Sequence, residues 1–302
     1  ILEIEHFDKG YEPVSENVSI LKSFQSYLQP RWLRAILWRL RIFFPALVRK
    51  LLVKDHYDIE VSFTIMNPPL MFSKRKDVKK IAWIHGSIEE FLEDKVKKGY
   101  HEKHLKSVDT IVAISNKTRR SIAEVYPEYE DKVEIIYNGY DFNEIIEKSK
   151  ADIDIDIHQN SICSIGRIEE NKGSDRVVEV MNLLHQKGNK YHLYFIGTGE
   201  MESELKKKIT EYHLEDYIHF LGYQYNPYKY LSKQEGFPGV YVEALSLGVP
   251  FVSTDVGGAE ELSQDGKFGQ VIYSDLEAAQ EIKNYVDGNK VLEKQEAREF
   301  LS

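Results

Sequence analysis

Ser161-Ile162-Cys163-Ser164-Ile165-Gly166-Arg167-Ile168-Glu169-Glu170-Asn171-Lys172-Gly173-Ser174 decides the fold. An apolar run of strand length meets a glycine, a polar loop follows, and from Ser174 the spacing turns helical until Gly188, a residue suited to closing a helix. A buried strand, a tight loop and a covering helix form the repeating unit of a parallel α/β sheet. Working outward, the unit recurs. Tyr191 to Ile196 predicts a strand that runs into Gly197-Thr198-Gly199 and a helix from Met201 to about His213. A helix over Val240 to Leu247 stops at Gly248 with Pro250 two residues on, and a strand over Phe251 to Thr254 opens onto Gly257-Gly258. No sequence repeat of about 20 to 50 residues is visible.

The first half carries the same alternation in a fainter form, with strands predicted at Ile59 to Phe63, Ile81 to Ile84, Thr110 to Ile114 and Val133 to Ile136. Asn138-Gly139 signals a turn, and the polar, weakly patterned stretch from Asn143 to Gln159 places a domain boundary near residue 157. Two α/β domains are expected, 1–157 and 158–302, each of an ordinary size of about 150 residues, with a cleft between them. Two places break the pattern. The chain starts at Ile1 with no strand and glycine turn ahead of it, and Pro227 to Gln234 leaves no room for the strand that alternation demands. Residues are expected to be missing at both.

Composition narrows the classes. With 42% hydrophobic and 29% charged residues the chain is globular, and no apolar run approaches the roughly 20 residues of a membrane span. Cys163 is the only cysteine, so neither disulfides nor a thiolate zinc cluster hold the fold, which suits a reducing, cytoplasmic setting. A net charge of −9 argues against nucleic-acid binding, which needs cations to neutralise phosphates. The segment from Pro30 to Lys54 is the exception, with Arg31, Arg34, Arg39, Arg41, Arg49, Lys50 and Lys54 and no acid.

The strongest chemical signal is Glu235-Gly236-Phe237-Pro238-Gly239-Val240-Tyr241-Val242-Glu243. Its glycine and proline turn lets backbone amides approach a ligand, and the helix start beyond offers unpaired N–H groups to a phosphate. Glu235 before the turn and Glu243 one turn inside the helix could both face a ligand with hydroxyls to donate. Sugars and riboses are such ligands. The bland alternative is that acids simply favour helix starts and that Arg167 and Lys172 are solvated loop charges.

This stretch resembles the E-x7-E motif of family 4 of the retaining glycosyltransferases, and the likeness extends to neighbouring segments. Gly166-Arg167-Ile168-Glu169-Glu170-Asn171-Lys172-Gly173 resembles the family's G-R-x-x-x-x-K-G segment, and Phe195-Ile196-Gly197-Thr198-Gly199 its strand and glycine turn. The resemblance implies an α/β fold of the GT-B class, two Rossmann-like parallel-sheet domains facing across a cleft. It implies that Arg167 and Lys172 neutralise the donor diphosphate beside Gly166, Gly197, Gly199, Phe237, Pro238 and Gly239, that Glu243 binds the nucleotide ribose, and that Glu235 contacts the transferred sugar. The expected donor is a nucleoside diphosphate sugar, a UDP-sugar in the first instance. The expected acceptor is a glycan or lipid-linked saccharide, as in bacterial surface polysaccharide synthesis, and neither cofactor nor metal is expected. Two alternatives stay open, a sugar-nucleotide epimerase on the same architecture and a non-catalytic sugar-nucleotide-binding subunit.

In Trp83-Ile84-His85-Gly86-Ser87 a histidine falls at a strand's carboxyl end, where α/β ligands gather, and the resemblance makes His85 the family's cleft histidine. Ser115 ends the next strand, either as a site residue or as a helix N-cap. Asp152-Ile153-Asp154-Ile155-Asp156 mimics a metal-binding D-x-D but lies in the predicted linker, and His101 and His104 lack a carboxylate to complete a metal site. Over residues 30–54, Trp32, Leu33, Ile36, Leu37, Leu40, Phe43, Phe44, Leu47 and Leu51 recur at helical spacing with arginines between, and Pro45 should kink or restart the helix. That pattern predicts an apolar side packed on the first sheet and a cationic edge resting on anionic lipid at the inner face of the membrane or on the pyrophosphate of a lipid-linked acceptor.

Overall fold

The computed structural model describes residues 5–6, 16–21, 25–26, 28–63, 72–153, 155–231, 235–236 and 240–301. The chain forms two compact units, Ile1–Asn138 and Gly139–Ser302.

In the first unit, β1 (Glu5–His6) and β2 (Gln25–Ser26) pair in parallel, and the alternation of the sequence gives no warning of either. Then come α1 (Arg31–Phe43), α2 (Pro45–Leu52), β3 (Ile59–Ser62), β4 (Lys79–Ile84), α3 (Lys95–Leu105), β5 (Thr110–Ala113), α4 (Asn116–Val125) and β6 (Val133–Ile135). Strands β3 to β6 lie side by side in chain order, all parallel. Each falls within two residues of its expected bounds. Every residue of β5 is buried, as a strand covered on both faces must be. Ile84, Ile111 and Ala113 pack against Phe91, Leu105, Ile122 and Tyr126 to make the core.

Pro45 does restart the helix. It occupies the first turn of α2, where its missing N–H costs nothing, and Phe44 forms the break. The packing of this pair departs in part from expectation. Among its residues α1 buries Arg41 and α2 buries Val48, whereas Trp32, Ile36, Trp38, Phe43, Phe44, Leu47 and Leu51 are all exposed. Arg41 and Val48 are inside, Leu33, Leu37 and Leu40 are half-buried, and the rest of the apolar stripe is outside with Arg31, Arg39 and Lys50.

The second unit contains α5 (Phe142–Ser149), β7 (Ser161–Ile165), α6 (Ser174–Gln186), β8 (His192–Ile196), α7 (Glu202–Glu211), β9 (Ile218–Phe220) and α8 (Tyr228–Leu231). It continues through β10 (Glu235–Gly236), α9 (Tyr241–Leu247), β11 (Phe251–Ser253), α10 (Ala259–Ser263), β12 (Gly269–Val271), α11 (Asp275–Val286) and α12 (Lys294–Leu301). Its division from the first unit falls at Asn138, ahead of the boundary expected near residue 157. The reason is packing. Ile145 is buried with Cys163, Leu231 and Leu247, and Phe142, Ile153 and Ile157 rest on the same cluster, so the polar stretch carries enough apolar anchors to belong to the second unit.

The six strands run β12-β11-β10-β7-β8-β9, all parallel. The unit's first strand is therefore central, with the second and third on one side and the fourth to sixth on the other, the doubly wound Rossmann order. The strand for which the sequence leaves no room is β10, only two residues long, pairing Glu235 with Ile162 and Gly236 with Cys163 and Phe251. Helix α6 presents Val177, Val178, Met181 and Leu184 at helical spacing to Ile162, Leu193 and Phe195, and α11 adds Ala278 and Ile282. A second cluster sets Leu245 of α9 against Phe251, Phe268 and Ala297.

Candidate donor site of the second unit

Parallel sheets of this kind bind ligands beyond the carboxyl ends of their strands, where the strand order reverses. Here the reversal lies between β7 and β10. The loop leaving β7 holds Gly166, Arg167 and Lys172. The chain leaving β10 runs from Glu235 and Gly236 to α9, whose first turn carries Glu243. Topology thus brings the two motifs to one edge of one sheet. Phe237, Pro238 and Gly239 lie outside the described residues, as do Asp154 and the side chains of Glu235 and His104.

Backbone contact holds the β7 loop in place. Gly166 N–H donates to the carbonyl of Ile196 at 3.1 Å, Ile168 N–H to Thr198 at 3.1 Å, and Met201 N–H back to Ile168 at 3.2 Å. A Cβ on Gly197 would sit 1.9 Å from the Gly166 oxygen, and one on Gly199 2.1 Å from the Ile168 oxygen. No side chain fits at either position. The two glycines expected at a ligand are therefore required first by the interlock of two loops. The β7 loop ends at Gly173 (φ 67°), which precedes α6 and brings no side chain to cap its amino end.

Arg167 and Lys172 are exposed on this loop. The Arg167 guanidinium donates to Glu169 at 2.8 Å, and at 68% side-chain exposure the pair is held loosely by water. Glu243 is half-buried. Burial pushes its pKa up, more than its own backbone N–H pulls it down, and its charge helps to raise the phenols of Tyr140 and Tyr228, which burial raises first. Both tyrosines therefore belong to the surroundings of Glu243. Sequence spacing does not single them out. At the start of α9 the Tyr241 hydroxyl meets Ser253 Oγ at 2.6 Å, tying the helix to the end of β11.

His85 belongs to the first unit, at the carboxyl end of β4. It is exposed on one side and packs on Phe63, with ring centroids 4.4 Å apart, and on Trp83. Partial burial lowers its pKa, against an opposing hydrogen bond to the Phe63 backbone, so the ring is neutral at pH 7. Ser115 is an N-cap. Its hydroxyl accepts from Thr118 N–H at 3.1 Å and is buried. His101 stacks on Phe91 in the core. A cavity of about 630 Å³, lined by Arg49, Lys50, His56, Lys74 and Arg75, opens where β3 and β4 begin, at the opposite edge from His85.

Parallel α/β sheets in two units are those of the GT-B fold. The chain belongs to the glycosyl transferases group 1, whose family model matches residues 145–302, and the model described as Glycosyltransferase Family 4 matches residues 11–144. It is 27% identical over 227 residues to an uncharacterized glycosyltransferase of Methanocaldococcus jannaschii, covering 68% of this chain and 55% of that protein. Over 172 residues it is 31% identical to the N-acetylgalactosamine-N,N'-diacetylbacillosaminyl-diphospho-undecaprenol 4-alpha-N-acetylgalactosaminyltransferase of Campylobacter jejuni, covering 53% and 46%. The chain thus spans about half the length of the curated relatives it matches. Anabaena HepE, solved in complex with UDP, superposes with a TM-score of 0.72 at 16% identity, covering 94% of this chain and 81% of that one.

Proposed function

We propose that this chain transfers a glycosyl group, with retention of configuration, from a nucleoside diphosphate sugar to a glycan or lipid-linked saccharide in bacterial surface polysaccharide assembly. One observation carries the reading: the Arg167–Lys172 loop and the Glu235–Glu243 segment emerge from adjacent strands at the point where the sheet order reverses. A diphosphate placed there meets a guanidinium, an ammonium and the uncapped amino end of α6, and these offset the charge that builds on it as the glycosidic bond breaks. Glu243 accepts from the ribose hydroxyls and Glu235 from the transferred sugar. The departing phosphate oxygen takes the acceptor proton, so no side chain is needed as base. His85 is assigned to the donor sugar and its phosphate side, and its neutral ring can donate or accept a hydrogen bond there. Loop cations stabilise the leaving group without a divalent ion, so turnover should persist in excess chelator.

A screen of UDP-, GDP- and ADP-sugars by thermal shift, followed by NMR of the product anomer, tests the reading. A shift with one donor and a product of unchanged anomeric configuration support it. Binding without turnover or slow donor hydrolysis would leave the accessory-subunit alternative. Release of an epimerised sugar nucleotide would establish the epimerase.

The outward apolar stripe of α1 and α2 supports a further part of the proposal, peripheral contact with anionic lipid. Exposed Trp32, Ile36, Phe43, Leu47 and Leu51 would enter the headgroup boundary while Arg31, Arg39 and Lys50 meet lipid phosphates.

A further inference from the structure

Three imidazoles that the transfer chemistry does not use converge at the amino-terminal edge of the second sheet. His192 is the first residue of β8 and His219 lies in β9, where the register sets Tyr194 opposite His219. Alternate residues of a strand share a face, so His192, Tyr194 and His219 project to the same side. His158 joins them from the segment before β7, where Asn160 adopts a left-handed conformation (φ 57°) and turns the chain into the strand.

We propose that His158, His192 and His219 form a binding site for a divalent transition ion of the zinc class, which clips the segment ahead of β7 onto β8 and β9. One ring nitrogen from each histidine lies within 4.8 Å of the others. His192 Nδ1 and His219 Nε2 are already 3.1 Å apart. Around a tetrahedral zinc with Zn–N bonds of about 2.0–2.1 Å, ligand nitrogens stand about 3.4 Å apart, so this pair needs only a small opening. His158 must move further. Its ring is stacked on His192 at 3.7 Å and an interplanar angle of 2°, which directs its lone pairs alongside the gap rather than into it. It is also the group best able to turn, being exposed and outside any strand, whereas His192 and His219 are fixed by sheet backbone.

The surroundings suit such an ion. Tyr194 Oη lies 2.7 Å from His158 Nδ1, and a ring that pivots about this contact keeps the kind of outer partner that fixes a ligating imidazole's tautomer and leaves its other nitrogen for the metal. Asp216 lies close enough to His219 for its charge to be felt there. Imidazole donors without thiolate select zinc, nickel, copper or cobalt over magnesium or calcium, and a water completes the fourth position. Because the cluster sits where strands begin and the donor loops sit where they end, the ion would stabilise the unit and take no part in transfer.

Untagged protein stripped with chelator is titrated with Co²⁺ and then Zn²⁺. The expected results are one-to-one binding at micromolar metal, the visible absorption of tetrahedral cobalt, its displacement by zinc, and a zinc-dependent rise in melting temperature. H158N lies at an exposed position and should keep the metal-free melting temperature while weakening zinc binding at least about tenfold, and H219Q should weaken that binding as much. Absence of saturable binding overturns the site, as does an H158N protein that binds zinc like the parent.

Discussion

At the residue scale, the exposed cations and the half-buried acid make separable contributions. Among the described residues the exposed Arg167 guanidinium meets only Glu169, and Lys172 is exposed, so R167A and K172A should each leave the melting temperature nearly unchanged while reducing turnover about a hundredfold, the scale of losing one preorganised charge contact. A matching loss of stability would instead make them structural. Glu243 behaves in the opposite way. Its folded-state pKa is raised by burial, so the ionised carboxylate costs stability at neutral pH. That cost fades as pH falls through the folded value and is gone below the unfolded one. E243Q should therefore melt higher at pH 7, with a margin that narrows towards pH 4, and should bind nucleotide about tenfold more weakly or worse for want of a charged acceptor. A lower melting temperature at pH 7 would contradict the assignment. The types and spacing of these residues were legible because motif chemistry is local. Tyr140 and Tyr228 were not, because what brings them to Glu243 is the packing of α5 and α8 against α9, which no spacing along the chain encodes.

At the element scale, the glycine turns after β7 and β8 and the α1–α2 pair illustrate what periodicity can and cannot tell. Gly197 and Gly199 read as ligand-approach glycines, yet the structure occupies their missing side-chain space with the carbonyls of Gly166 and Ile168. G197A should cost at least about 2 kcal/mol, measured by denaturant unfolding, since the added methyl meets backbone that cannot step aside. A near-neutral effect would show the loops to be independent. For α1 and α2 the helical spacing was right, but only part of the stripe packs inward, because a hydrophobic period gives the stripe's width and not how much of it finds a partner. Replacing Trp32, Phe43 and Leu47 with serine should abolish binding to anionic vesicles while preserving the fold, since these side chains are exposed. R39Q should weaken binding in a salt-dependent manner, whereas R41Q would report on packing, Arg41 being buried. Equal binding by all of these proteins would remove the membrane contact.

At the scale of the molecule, the strand order of the second unit follows from the alternation of strands and helices, while its starting point does not. The stretch from Asn143 to Gln159 looks like linker by composition, but Ile145 and Ile157, with Phe142 just ahead of them, commit it to the second core. A fragment of residues 139–302 should fold cooperatively and show a nucleotide-dependent thermal shift, whereas one starting at 158 should aggregate or melt much lower, having exposed the face of Leu231 and Leu247. Equal stability of the two would place the boundary where composition suggested. The backbone seam that ties Gly166 to Ile196 and Ile168 to Thr198 also constrains how a donor site built on these loops could drift. A loop whose main chain is clamped by its neighbour resists reshaping by insertion or slippage, so under the proposed function new donor specificities would be written in the side chains that border it.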